Sequence, residues 1–215
     1  MNLFDQAVLL ATGLVAVYGI WILMGKQKDE ATKHIANYYY MVSFAVLFVS
    51  GVLLIFLGWE ILGLLGHGSG TSKFVAIVAT LIPFSFATGL VARFYPEKEK
   101  VYLMVMALGL ILIGMSRVME MGTFAKIIYP VFHSIAGLTI FVVPIMAVKN
   151  GDMSKCFYWV TVGGTLIGLG GIALGFLSSG NQLLFFSKDF VLMILAPLLF
   201  LTAFAYMWGL KRGEK

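Results

Sequence analysis

The sequence predicts an all-α, polytopic integral membrane bundle of seven transmembrane helices, and three observations carry that prediction. Hydrophobic side chains make up 60% of the 215 residues and charged ones only 12%, whereas a soluble domain carries about 25% charged residues. Mean hydropathy is +0.97. The apolar residues fall into seven runs, each near the roughly 20 residues that cross about 30 Å of hydrocarbon. This arithmetic excludes a disordered chain, a nucleic-acid binder and a disulfide scaffold, which need more charge or more cysteine. Cys156 is the single cysteine, so no intramolecular disulfide can form.

The first span is placed at Leu3–Met24; it opens with Asp5 and no Lys or Arg precedes it, unlike a signal peptide's basic start, so it is read as a retained span. Span two is Tyr38–Leu65 and carries Glu60 near its far end; span three is Phe74–Tyr95 with Pro83 inside. Span four, Val101–Met121, carries Arg117 and Glu120, and span five, Ile127–Val148, carries His133, Pro130 and Pro144. Span six is the glycine-rich Phe157–Ser178, and span seven is Asp189–Leu210 around Pro197. Each proline frees a carbonyl and favours a kink. The connectors, such as GKQKDEATKH, PEKEK and KNGDMSK, are short and polar. Residues 1–215 are therefore read as one transmembrane domain, with all chemistry in or at the membrane.

Lys and Arg are distributed unevenly between the two ends of the spans. Eleven, from Lys26 to Lys215, fall at one end and four, Lys73, Arg117, Lys126 and Lys188, at the other. The richer end is expected in the cytoplasm, with the N-terminus outside and the C-terminus inside a cell membrane. Excess positive charge here reports topology more than an anionic partner, and the lipid bilayer is the expected partner, with no nucleic acid.

Seven spans permit a 3+1+3 arrangement, with parallel repeats 1–95 and 127–215 joined by a helix over 101–121. Span three has Pro83-x-x-Phe86-x-Thr88 and span seven Pro197-x-x-Phe200-x-Thr202. Spans one and five share Gly13-Leu14 and Gly137-Leu138, and spans two and six enter with Tyr40-Met-Val42-Ser43 and Tyr158-Trp-Val160-Thr161. The matches keep the same order in both halves, as a parallel repeat requires. In topology alone this resembles the parallel-repeat sugar facilitators and the retinal proteins. A retinal protein needs a lysine in mid-span seven for its Schiff base, and the nearest, Lys188, lies at the mouth of that span.

Glycines 164, 168, 171 and 175 share one face of span six. Such a stripe lets a neighbouring backbone approach closely, within this bundle or across a homo-oligomer or partner-subunit interface. The twelve Met and eighteen Phe are scattered as core and lipid-facing filler, with no thioether cluster near His or Cys that would relay a metal.

An ionisable residue near the bilayer centre costs about 3 kcal/mol, so each one needs an explanation. With the orientation above, Glu60, Arg117, Glu120 and His133 share the outer leaflet, His133 about 10 Å deep at roughly 1.5 Å per residue. His67, Asp5, Lys126, Tyr129 and Asp189 can approach the same rim. Arg117 and Glu120, three apart, are expected to pair on one helix face. Glu60 needs a partner from another span, Arg117 first and His133 second. A Glu–Arg–His group can hold a quinone headgroup, a small anion or a lipid headgroup through charge-assisted hydrogen bonds. A haem b reading takes His133 as axial ligand with His67 as the second. No H-x-x-x-H or H-E-x-x-H spacing favours zinc.

The midplane holds hydroxyls such as Ser43, Ser85, Thr88 and Thr161 and no Asp, Glu, Lys or Arg, which weighs against an ion-coupled pump. The leading expectation is a non-catalytic membrane subunit or binding protein. Its pocket of Glu60, Arg117, Glu120 and His133 would hold a lipid-like or quinone-like molecule. The alternatives are a neutral-solute facilitator built from two repeats, with its path near Pro83 and Pro197, and a haem-bearing carrier or membrane enzyme using His133.

Overall fold

The computed structural model describes residues 1–59, 70–178 and 187–214, with backbone alone at 70–76, 123, 126, 175, 176 and 178. Seven helices follow in order: α1 Leu3–Lys28, α2 Ile35–Leu57, α3 Gly70–Phe94, α4 Glu99–Val118, α5 Gly122–Lys149, α6 Tyr158–Ser178 and α7 Lys188–Arg212. Each contains a stretch long and apolar enough to cross a membrane, and no strand occurs among the described residues. In hydrocarbon only helices and closed barrels satisfy every backbone donor and acceptor internally. The chain is thus a seven-helix, multi-pass membrane protein.

Local chemistry sets the helix ends. α1 starts in a capping box, with the Asp5 N–H donating to Asn2 Oδ1 at 2.8 Å and the Asn2 N–H to Asp5 Oδ2 at 3.3 Å; this satisfies two donors that a helix start leaves open. α2 is capped by His34, whose Nδ1 accepts from the Ala36 N–H at 3.1 Å. α2 ends at Leu57, earlier than Leu65, because Gly58 takes a φ of 68° and donates its N–H to the Leu54 carbonyl. A glycine pays no Cβ penalty there, so the helix stops.

The packing order closes a ring. α1 packs on α2, α2 on α3, α3 on α5, α5 on α6, α6 on α7 and α7 on α1, while α4 packs outside, on α3 and α5. α3 and α7 are the most enclosed spans, 61% and 50% buried against 22–33% for the others, so they form the centre. They meet there through Phe86, which stacks on Tyr206 at 4.0 Å, and through Ile82 and Ala203, which cluster with Leu47 of α2. Hydroxyls from neighbouring helices reach carbonyls beside the prolines. Ser43 donates to the Ile82 carbonyl at 2.9 Å, next to Pro83, and Thr161 to the Phe141 carbonyl at 3.1 Å, three residues before Pro144.

The end rich in Lys and Arg is tied together by polar contacts. Glu214, just past α7, pairs with Lys26 of α1 at 2.5 Å and with Arg93 of α3 at 2.9 Å. Lys26 also donates to the Leu210 carbonyl at 2.7 Å. The Ser154 hydroxyl donates to the Arg212 carbonyl at 2.8 Å, and Tyr39 donates to Glu99 at 2.8 Å. Between α1 and α2, the Asn37 amide donates to Gln27 at 3.0 Å and to the Thr32 carbonyl at 3.2 Å.

Candidate functional site

At the opposite end, the last turn of α4 meets the first turns of α5. α4 stops because Glu120 turns back with a φ of 55°, which lets the Met121 N–H reach the Ser116 carbonyl at 2.9 Å, the closing bond of a Schellman turn. Glu120 therefore stands past the helix end, and the expectation that it shares a helix face with Arg117 is not met. The Arg117 guanidinium lies over the Tyr129 ring, 5.7 Å from its centroid. Tyr129 and His133, one turn apart on α5, stack at 5.2 Å with 19° between their planes. This geometry is a cation–π contact continued by a ring pair.

Two nitrogens of this stack, Arg117 Nε and His133 Nδ1, are buried and have no hydrogen-bond partner. The other edge of the imidazole is packed: a Cβ added to Gly171 of α6 would lie 2.9 Å from His133 Nε2. An iron bound at that nitrogen would thus require α5 and α6 to separate. What the stack offers is one N–H donor on a fixed charge and one imidazole nitrogen that donates or accepts by tautomer. Each of these nitrogens suits an oxygen of a phosphate, a carboxylate or a quinone carbonyl.

The structure therefore brings Arg117 and His133 together, with Tyr129 as the connecting ring. Glu60 and His67 lie outside the described residues, as does the Lys126 side chain. Asp5 and Asp189 line another cleft, of about 500 Å³, with Phe4, Trp59 and Met193. Among the described residues no group of three His, Cys, Asp or Glu is placed to hold a metal ion. On α6, Gly164 faces Ile140 and Gly171 faces His133, both of α5, while a Cβ at Gly168 would meet nothing within 4 Å. Trp59 is buried with Leu9, Leu54 and Leu195.

Sequence reasoning missed a cleft of about 410 Å³ at the Lys- and Arg-rich end, lined by Lys33, His34, Arg93, Asp152, Glu214 and neighbours. Its charges read in the sequence as topology signals, and the Lys26–Glu214 contact spans 188 residues, beyond any local pattern. Burial depresses the His34 pKa below its ordinary value, the Arg93 guanidinium lowers it further, and Glu99 opposes both.

No protein-family model, curated protein or solved structure matches this chain.

Proposed function

We propose that the protein is a non-catalytic membrane subunit or binding protein that holds the headgroup of a lipid-like or quinone-like molecule at Arg117, Tyr129 and His133. The observation that carries this reading is the pair of buried nitrogens, Arg117 Nε and His133 Nδ1, left without partners beside the same Tyr129 ring. A buried N–H without a partner costs about 1–3 kcal/mol, and an anionic or carbonyl headgroup would return that energy. The excess of Lys and Arg at the other end supports an outer-leaflet location in a cell membrane.

The test is thermal unfolding of detergent-purified protein with phosphatidylglycerol, phosphatidylcholine or a short-chain ubiquinone. Phosphatidylglycerol or the quinone is expected to raise the melting temperature, phosphatidylcholine much less, and Arg117→Gln and His133→Ala are each expected to abolish the rise. Equal responses of parent and variants to all three additives would refute the site.

A second reading is a neutral-solute facilitator built from repeats 1–95 and 127–215, and the packing order favours it. Replacing α1, α2 and α3 by α5, α6 and α7 turns the observed ring into itself, with α4 outside as the linker. The two most enclosed helices, α3 and α7, occupy equivalent places and carry the shared P-x-x-F-x-T pattern. The likeness is one of helix order, because Ser43 bonds to α3 whereas its counterpart Thr161 bonds to α5. Solute-driven swelling of proteoliposomes tests it, and rates equal to protein-free liposomes would refute it.

A further inference from the structure

We infer that the ring encloses a binding site for a small, uncharged solute bearing hydroxyl or amide groups, formed by Tyr40, Tyr206 and Thr202 and closed by Phe86. This rests on the facilitator reading and names its solute class. Tyr40, Tyr206 and Thr202 are at most 1% exposed, and the hydroxyl oxygen of each has no hydrogen-bond partner. They form one layer. Phe86 of α3 lies between the phenols, its ring 4.9 Å from Tyr40 of α2 and 4.0 Å from Tyr206 of α7. Thr202 sits one turn from Tyr206, on the same face of α7.

The rest of the core shows that this fold satisfies its buried hydroxyls. Thr12, Ser43, Thr80, Thr88 and Ser116 all donate to backbone carbonyls. Among the described buried Ser and Thr, Thr202 alone does not. Phe and Val would fill the same space with no polar atom to satisfy, and buried polar groups without partners mark places where something else supplies them. The phenols are also closely seated. A Cβ at Gly89 would lie 2.5 Å from the Tyr40 ring, and one at Gly163 2.7 Å from the Tyr206 ring, so both rings occupy slots that only glycine leaves open.

The layer itself contains no formal charge, and the Arg93 and Glu214 charges that act on Tyr40 are already paired with each other, so a charged solute would lose its hydration without gaining a free counter-charge. Three groups that each donate and accept instead suit alcohols, polyols, urea or short amides. The approach is short. Arg93 lies seven residues beyond Phe86 on α3, about 10 Å at roughly 1.5 Å per residue, and it lines the 410 Å³ cleft of the Lys- and Arg-rich end. Buried side chains, among them Phe86 and Leu90, both 0% exposed, must turn aside for a solute in that cleft to meet the phenols.

Tyrosine ring-carbon NMR of the purified protein tests the site, with Tyr40→Phe and Tyr206→Phe assigning the two resonances. Urea, glycerol or erythritol, titrated to about 100 mM to cover millimolar affinity, is expected to shift both resonances saturably, and Thr202→Val to weaken the response. Both resonances staying fixed with all three probes would overturn the inference. Swelling assays on the same preparations separate it from the facilitator reading. Saturable shifts with no flux in parent or Phe86→Ala would keep the site and sink the path, while a several-fold faster flux in Phe86→Ala would support both.

Discussion

Replacing Glu214 by Gln removes one charge from a three-residue cluster, and the structure sets the size of the effect. Its two carboxylate oxygens hold different helices, Lys26 of α1 at 2.5 Å and Arg93 of α3 at 2.9 Å, so the single side chain links three C-terminal helix ends. The side chains are 14–24% exposed. Exposed ion pairs contribute about 0.2–1 kcal/mol, and removing one partner of a fully buried pair costs about 3–5 kcal/mol. Two pairs at intermediate burial place Glu214→Gln near 2 kcal/mol of destabilisation. At about 2–4 °C per kcal/mol for a chain of this size, the melting temperature in detergent falls by roughly 4–8 °C. The loss is to be measured by near-ultraviolet circular dichroism at low salt, and again near 1 M salt, where screening shortens to about 3 Å. In the double variant Lys26→Met with Glu214→Gln, destabilisation is expected to fall short of the sum of the singles by about 0.5–3 kcal/mol. A melting temperature within 1 °C of the parent at low salt, or strict additivity, would refute the reasoning.

Three further expectations follow from single contacts. His34 caps α2 through an unprotonated Nδ1, and its folded pKa is lowered. The stabilisation is therefore fully present above the ordinary histidine value of about 6.5 and is lost as pH falls through the lowered one. His34→Asn, which keeps a cap without titrating, should flatten the fall in melting temperature between about pH 7 and 5, and an unchanged profile would contradict this. Gly171→Ala pushes a Cβ to 2.9 Å from His133 Nε2 and should cost about 1–3 kcal/mol; His133→Ala in the same chain should recover part of that, and additive thermal shifts would argue otherwise. Gly89→Ala meets the Tyr40 ring at 2.5 Å whereas Gly25→Ala meets nothing within 4 Å. The first should lower the melting temperature and the second leave it level or raise it, by up to about 1 kcal/mol of helix propensity, and the reverse order would refute the packing described.

The seven helices and their order were legible because hydrocarbon imposes one rule on every segment, and composition alone reports it. Their ends were less so. Nothing in the run Leu57-Gly58-Trp59 distinguishes a glycine within a span from one that ends it, until its φ of 68° is known. Glu120 misled for a related reason: three-residue spacing implies a shared face only while the helix lasts, and α4 ends at Val118. Arg117 and His133 were brought together by a depth argument that does not depend on which helices touch, whereas Tyr129, the ring between them, was only one of several rim residues. The ring order of the helices, with α4 outside, has no local signature, because it arises from which apolar faces meet. The same holds for Tyr40 and Tyr206, from opposite halves of the chain, meeting either side of Phe86.

The distribution of satisfied and unsatisfied polar groups bears on function more directly than the fold does. The Lys- and Arg-rich end pairs its charges across long sequence distances, as in Lys26–Glu214 and Arg93–Glu214. Five buried side-chain atoms among the described residues lack partners: Tyr40 and Tyr206 Oη, Thr202 Oγ1, Arg117 Nε and His133 Nδ1. At about 1–3 kcal/mol each, their summed cost would rival the roughly 5–15 kcal/mol that holds a typical domain together. Random imperfections would scatter through the core. These fall instead into two groups, one an uncharged layer in the middle of the ring and the other a cation beside stacked rings at the end of α4. On the readings proposed above, each group meets a polar molecule, a neutral one in the first case and an anionic or carbonyl headgroup in the second, and that molecule would offset the cost.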